Sequence, residues 1–149
     1  MNETTLFKAL ASGLAGACAL TLLHESVRRF VPSAPRADIL GMRAIAKGIK
    51  AVGEQPPADD TLHTMALGGD LVSNAVYYSL IGLGSQKNAL LTGSALGLAA
   101  GVGAVLLPGP MGLGEAPTTR TSATVAMTVG WYLVGGLATA ATYQWLDRK

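Results

Sequence analysis

Four long apolar stretches constrain the fold of this chain more than any other feature. They cover residues 6–27, 61–84, 88–107 and 121–146. About 20 helical residues, rising about 1.5 Å each, cross the roughly 30 Å hydrocarbon core of a bilayer. A helix satisfies its own backbone hydrogen bonds, so it needs no water to do so. The sequence therefore predicts an all-α membrane protein, one integral membrane domain over residues 1–149, with four transmembrane helices in two antiparallel hairpins.

The composition favours a membrane protein over a soluble domain. Half of the 149 residues are hydrophobic and 13% are charged, whereas about 25% of residues are charged in an average soluble domain. The net charge is only +2, and the basic stretch between the first two spans has no aromatic side chain that could stack on bases apart from Phe30. We therefore expect a lipid bilayer as a partner and no nucleic acid. The single cysteine, Cys18, lies inside the first apolar stretch and excludes a disulfide within the chain.

The second apolar stretch carries its polar residues along one helical face. At about 100° per residue, Asp70, Asn74 and Tyr77 fall within roughly 40° of His63. Asp70 would lie near the middle of the bilayer, where a carboxylate costs about 2.5–3.5 kcal/mol. The other predicted spans contain no Lys or Arg at that depth. We expect Asp70 to be protonated, bonded to Asn74 or to Thr128 of the fourth span, or bound to an ion.

This polar seam has two interpretations. The first is structural, with hydrogen bonds that fix the register of the helices; such bonds contribute about 0.6 kcal/mol each on average. The second is a proton or cation site in which Asp70 is the titrating group, as intramembrane carboxylates commonly are. The second interpretation predicts a proton- or cation-coupled transporter or channel subunit, which would need oligomerisation because four helices leave little room for a pathway.

Small residues recur every four positions in the first and third stretches, as is typical of closely packed membrane helices. In the first stretch the repeat is Ala9, Gly13 and Ala17, with Gly16 alongside, and in the third it is Gly93, Gly97 and Gly101. The first functional hypothesis follows from these ridges: a small multipass membrane protein that acts as a helix-packing subunit or scaffold, as a homo-oligomer or within a larger membrane complex.

Residues 36–53 predict a basic amphipathic helix between the first two spans. Its cationic face carries Arg36, Arg43, Lys47 and Lys50, and we expect these residues at lipid headgroups. The face with the loops after spans one and three carries seven Lys and Arg residues, against four on the other face. The positive-inside rule then places loop 28–60 in the cytoplasm and both termini outside, in a bacterial inner membrane.

A third functional hypothesis rests on residues near that same face. His24, His63 and Glu115 could ligate a metal, and the two histidines could ligate haem. Their spacing matches no diagnostic metal motif, and interfacial histidines more often form ordinary hydrogen bonds. The serines have no His and acid in a recognisable catalytic order, so no catalytic residue is predicted and enzyme activity is not favoured.

Overall fold

The computed structural model of the chain describes residues 3–148, and the regular structure of this part is entirely helical. The α-helices are α1 (Glu3–Val27), α2 (Ala37–Ala51), α3 (Asp59–Tyr78), α4 (Ala89–Leu106), α5 (Ala116–Thr119) and α6 (Ser122–Asp147). Two short 3-10 helices, Ser79–Leu83 and Gln86–Asn88, connect α3 to α4. The predicted all-α class is confirmed.

Within the described residues, three helical segments rather than four are long and apolar enough to cross a membrane. These are Glu3–Val27, Gln86–Leu106 and Ser122–Asp147. The prediction of a fourth such span over residues 61–84 is wrong. The helix there begins with Asp59 and Asp60, contains Asp70, and leaves its α-helical path after Tyr78. Its acidic residues lower the hydropathy, and the apolar residues that follow lie in a 3-10 helix.

The long helices form an antiparallel bundle in which α1 packs on α3 and α6, and α4 packs on α6. The direction of α6 against α1 is clear from two contacts. Lys8 Nζ lies 3.0 Å from Asp147 Oδ1, and at the other end the ring of His24 lies 4.9 Å from that of Trp131. Each helix in the series α3, α1, α6, α4 thus packs mainly on its neighbours in that series, and α3 and α4 are its two ends.

The predicted glycine ridges lie at contacts within this bundle. On α4, a Cβ atom at Gly97 would lie 2.7 Å from the carbonyl oxygen of Tyr132 and 2.8 Å from Leu133 Cα. Gly93 and Gly101 approach α6 equally closely, through Gly136 and Val129. On α1, Gly13 faces the backbone of Ala75 in α3, and Gly16 faces Thr139 in α6. Each ridge is thus covered by another helix of the same chain.

Helices α3 and α4 are consecutive but make little contact with each other. The tight connection between them led us to expect a closely packed hairpin. Instead, α3 packs on α1, where Gly13 meets Ala75, and α4 packs on α6 through its glycines. One hydrogen bond crosses between them, from Tyr77 Oη to the carbonyl oxygen of Leu96 at 3.0 Å. Beyond that bond the two helices line opposite walls of a cleft.

Helix α2 bridges α3 and the loop that follows α4. Gly41 of α2 contacts Ala66 of α3. Arg43 Nη1 donates to the carbonyl oxygen of Leu113 at 2.7 Å, and Lys47 Nζ donates to that of Met111 at 2.5 Å. Of the other residues predicted at headgroups, Arg36 pairs with Asp38 at 2.7 Å, and Lys50 is exposed. Three of the four basic side chains therefore have partners within the protein.

Large apolar side chains cover the outside of the bundle. Exposed examples occur on α1, α3, α4 and α6: Phe7, Leu22, Val72, Leu91, Leu106 and Val134. An exposed apolar surface that surrounds a helical bundle suggests contact with lipid. Together with the three apolar helices, this surface suggests that the protein associates with a membrane.

Candidate functional site

A cleft with a volume of about 750 Å³ lies between α3 and α4. Its α4 wall consists of small residues, Ala99, Ala100, Gly103 and Ala104. Helix α2 closes one side with Leu40, Gly41, Ala44 and Ile45. Pockets for small ligands are typically 300–1,000 Å³ and mostly apolar, with a few well-placed polar groups. The cleft meets this description.

Most polar groups of the cleft come from α3, while Thr118 of α5 and Tyr132 of α6 supply the others. Asp70, Asn74 and Tyr77 line it, together with Ser73. Asn74 Nδ2 donates to Asp70 Oδ1 at 2.9 Å and to the backbone oxygen of Asp70 at 2.9 Å, and this amide is almost fully buried. The Asn74 bonds hold the Asp70 carboxylate in one orientation on the cleft wall.

Asp70 has no ion-pair partner among the described residues. The acidic side chains that do have one are Glu25 with Arg28, Asp38 with Arg36 and Arg28, and Asp147 with Lys8. Asp70 is only partly buried, so one side of it faces the cleft. A carboxylate that faces an apolar cleft without an ion-pair partner is costly when it is ionised, so a bound proton or a bound cation would stabilise it.

A second, much smaller cavity lies on the other side of Asp70. Its volume is about 20 Å³, and it is enclosed by α1, α2 and α3. Its polar lining is formed by Thr21, His24, Glu25, Asp38 and Asp70. A cavity of roughly 10–15 Å³ or more with several polar partners is large enough for one water molecule. Asp70 is the acidic residue that lines both spaces.

His24 is the most unusual group in this small cavity. Its side chain is 6% exposed, and its Nε2 atom is buried without a hydrogen-bond partner in the described structure. Its ring packs on Trp131 at 4.9 Å and edge-on to Tyr132 at 6.0 Å. A buried polar nitrogen without a partner is costly, and it commonly marks a functional or hydrated position.

A charged cluster separates this cavity from the end of the bundle. Arg28 joins Glu25 at 2.7 Å and Asp38 at 3.6 Å, and Arg36 joins Asp38 at 2.7 Å. Partial burial alone would raise the pKa of Asp38, but the hydrogen bond from Arg36 and the charges of Arg36 and Arg28 outweigh it. The pKa of Asp38 therefore lies below its ordinary value, and Asp38 is ionised at neutral pH.

Two predicted seam residues lie outside the cleft. His63 is at the charged end, with Nδ1 3.9 Å from Asp38 Oδ2. Thr128, expected as a partner of Asp70, donates instead to the carbonyl oxygen of Thr124 at 2.8 Å. Thr128 occupies the junction of α5 and α6, because its hydroxyl is also 3.3 Å from the carbonyl oxygen of Thr118.

The three residues of the metal hypothesis are separated by their environments. His24 is buried against Trp131, His63 approaches Asp38, and Glu115 packs over Gly109 in the loop after α4. Within residues 3–148, no group of three or more His, Cys, Asp or Glu side chains is placed to hold a metal ion. The metal hypothesis therefore has no supporting geometry in the described residues, and the haem hypothesis stays a prediction.

Sequence reasoning missed two residues of the site. Tyr132 of α6 lines the large cleft, and Thr21 of α1 lines the small cavity. Both lie in apolar helices that meet α3 only in the folded bundle, so no local pattern marks them. Comparisons of the chain with protein-family models, curated proteins and solved structures found no match. The fold and the site define a helical bundle with one acidic residue, Asp70, in an apolar cleft, and the function proposed for it rests on this geometry.

Proposed function

We propose that this protein is an integral membrane protein that binds a cation at Asp70 in exchange for a proton, as a subunit of a transporter or channel. The observation that carries the proposal is the position of Asp70. It faces a cleft of about 750 Å³ and has no ion-pair partner in the described residues. Intramembrane carboxylates most often belong to ion or proton pathways.

The depth of Asp70 supports an exchange between proton and cation. Gly13 of α1 contacts Ala75 of α3, and Thr21 of α1 lines the same small cavity as Asp70. Asp70 is therefore level with the last apolar turns of α1, a candidate span, next to the turn that carries His24 and Glu25. A carboxylate costs about 2.5–3.5 kcal/mol at the centre of a membrane helix and less toward its ends. Either a bound proton or a bound cation removes the net charge, so the two compete for one site.

The small cavity supports proton access from the charged end. His24, Asp38 and Asp70 all line it, and His63 lies on the outer side of Asp38. These groups form a series of titratable side chains from the end of the bundle to the cleft. Proton movement along such a series needs water or side chains within hydrogen-bond reach, and this cavity has room for one water molecule.

The orientation in the membrane is part of the proposal. Lys and Arg are concentrated in and around α2, and Arg120 after α5 donates to the carbonyl oxygen of Pro32 close by, which supports a cytoplasmic location for this end. The start of α1 and the end of α6, which meet at Lys8 and Asp147, would then both lie outside, in a bacterial inner membrane, and α3 with the two short helices after it would return the chain along the bundle to α4. Helix α3 would be held at membrane depth by α1, with Val72 and Val76 on its exposed side.

A packing subunit of a membrane assembly is the second candidate. The glycine ridges that suggested it are covered by helices of the same chain, so an assembly would use other surfaces. The exposed apolar residues of α4 offer one such surface. An oligomer of this kind is also compatible with transport, because one bundle alone provides a cleft rather than a full pathway.

Proton release tests the proposal directly. The purified protein in lipid nanodiscs, in weak buffer, is titrated in separate experiments with NaCl, KCl and tetraphenylphosphonium chloride while a pH dye is followed. We expect at least one cation to release protons from the wild type and none to do so from Asp70→Asn. Asp60→Asn, which removes an acid from the first turn of the same helix, is the control and should behave as the wild type. Release that persists in Asp70→Asn, or no release from the wild type, would contradict the proposal.

A further inference from the structure

We infer that the cleft between α3 and α4 binds a monovalent organic cation with an apolar body. Asp70 would pair with the positive charge of this cation. This inference rests on the proposed function, because it names the class of cation that Asp70 receives. Three observations carry it: the size and lining of the cleft, the small number of oxygen donors beside Asp70, and the aromatic rings at the cleft.

The size and lining of the cleft favour an organic ligand over a simple ion. Its volume of about 750 Å³ is far larger than a dehydrated metal ion requires, and most of its wall is hydrocarbon. Ala100 and Gly103 keep the α4 wall flat, while Leu40 and Ile45 of α2 form the apolar side. An apolar body on these walls is removed from water, at about 25 cal/mol per Å² of buried apolar surface.

The oxygen donors near Asp70 are too few for a metal ion. Hard metal cations such as Mg²⁺ and Ca²⁺ take six or more oxygen ligands, and K⁺ sites use rings of carbonyl groups. Here the Asn74 amide already donates to Asp70, and Ser73 Oγ donates to the backbone oxygen of Asp70 at 3.2 Å. The oxygens of Thr21, Glu25 and Asp38 line the separate small cavity, and no group of three acidic, His or Cys side chains is placed to hold a metal ion in the described residues. On the cleft side one carboxylate faces an apolar space, which complements a single positive charge on a bulky group.

Aromatic rings complete the complementarity to an organic cation. Tyr77 and Tyr132 line the same cleft as Asp70, from α3 and α6. Cations within about 6 Å of an aromatic face are attracted to it, and carboxylates and rings together recognise ammonium-type groups. The hydroxyl of Tyr77 is held by Leu96 of α4, which fixes this ring at the point where the two helices meet.

Two neighbouring glycines provide a matched test. Gly69 lines the cleft and Gly68 does not, and a Cβ atom at either position would meet nothing within 4 Å. Gly69→Phe therefore fills the cleft without a backbone clash, while Gly68→Phe adds the same side chain outside it. Asp70→Asn and Asp60→Asn form the corresponding charge pair. Tyr132→Leu removes a ring from the cleft, whereas Tyr132→Phe keeps it.

The assay is equilibrium binding of radiolabelled tetraphenylphosphonium to the full chain in nanodiscs, with protein-free nanodiscs subtracted. We expect saturable wild-type binding that falls about tenfold or more in Gly69→Phe and Asp70→Asn, and that changes less than about twofold in Gly68→Phe and Asp60→Asn. Tyr132→Leu should weaken binding more than Tyr132→Phe. The neutral competitor triphenylphosphine oxide should not displace the cation.

The possible failures are distinguishable. No saturable binding to the wild type, or equal binding by Gly69→Phe and Gly68→Phe, would overturn the organic-cation site. Proton release by Na⁺ or K⁺ but not by tetraphenylphosphonium would overturn this inference and leave the exchange at Asp70 intact. An absence of proton release with all three cations would overturn both. Folding of each variant is checked by its helical circular dichroism and its elution as a single species.

Discussion

Replacement of Gly97 by alanine is the sharpest test of how the bundle is packed. Gly97 lies in the middle of α4, where this helix crosses α6. An added Cβ atom would lie 2.7 Å from the carbonyl oxygen of Tyr132 and 2.8 Å from Leu133 Cα. Both neighbours are backbone atoms, which cannot rotate away as a side chain can. The helices must therefore separate to accept even one methyl group.

The expected cost follows from this geometry. Nonbonded carbon atoms prefer a separation of about 3.5–4.0 Å, so the helices would move apart by roughly 0.5–1 Å. Overpacking of this kind costs about 1–3 kcal/mol, and alanine recovers up to about 1 kcal/mol through its higher helix propensity. We expect Gly97→Ala to be less stable than the wild type by about 1–2 kcal/mol. Helices in a membrane associate mainly through van der Waals packing, because lipid tails are as apolar as their side chains. Packing contacts that are lost between α4 and α6 are therefore not compensated by a hydrophobic effect.

The control is Gly130→Ala in α6, where an added Cβ atom would meet nothing within 4 Å. This variant should be as stable as the wild type or more stable by up to about 1 kcal/mol. The assay is reversible unfolding in mixed micelles with increasing dodecyl sulfate, followed by circular dichroism. If Gly97→Ala proves as stable as Gly130→Ala, then α4 and α6 do not cross at these glycines and the reasoning is refuted.

Two further substitutions test a hydrogen bond and the α2 anchor. Tyr78→Phe removes the bond from the fully buried Tyr78 hydroxyl to the carbonyl oxygen of Tyr132 at 2.7 Å, and should cost about 0.5–1.5 kcal/mol in the same unfolding assay. An unchanged midpoint would contradict that bond. The pKa of Asp38 is lower in the folded protein than in the unfolded chain, where it is about 4, so ionised Asp38 stabilises the fold at any pH above about 4. This stabilisation is lost as the pH falls through the pKa of the folded protein. The protection factors of the α2 amides, which are the exchange rates of an unstructured peptide divided by those observed at the same pH, should therefore fall in acid. In Asp38→Asn the protection should be low already at pH 7; protection equal to that of the wild type would show that Arg36 and Arg28 do not hold α2 through Asp38.

The helices of this protein could be predicted from sequence because their signals are local. Apolar stretches bounded by Pro and Gly marked α1, α4 and α6, whose ends in the structure fall within a few residues of those expected. The polar seam of α3 also depends only on helical periodicity, and Asp70, Asn74 and Tyr77 do share one wall of the cleft. The all-α class needed nothing more than these local patterns.

The partners of each helix could not be predicted, because small-residue ridges do not specify what they contact. Gly13 and Gly16 lie one turn apart on α1, yet the first packs on α3 and the second on α6. Connection length was equally uninformative, since the short link after α3 suggested a tight hairpin where the structure has a cleft. Arg43 and Lys47 matched a headgroup pattern, but carbonyl oxygens of the loop after α4 accept their hydrogen bonds.

The cleft itself is a consequence of these long-range choices. Because α3 packs on α1 and α4 packs on α6, the two connected helices are held apart except at Tyr77 and Leu96. That separation leaves Asp70 facing an open space instead of a helix. No residue of α3 alone could reveal this arrangement, and Tyr132 joins the site only through the packing of α6.

The protonation of Asp70 tests the central claim most directly. Infrared difference spectroscopy of the protein in lipid, wild type against Asp70→Asn, isolates the carboxyl band of this residue during a pH titration. If Asp70 exchanges a proton for a cation, its carboxyl band titrates, and it disappears at lower pH when tetraphenylphosphonium or another bound cation is added, because the cation favours the ionised form. A carboxyl group that keeps one protonation state and does not respond to any cation would contradict this exchange, and Asp70 would then be a structural residue.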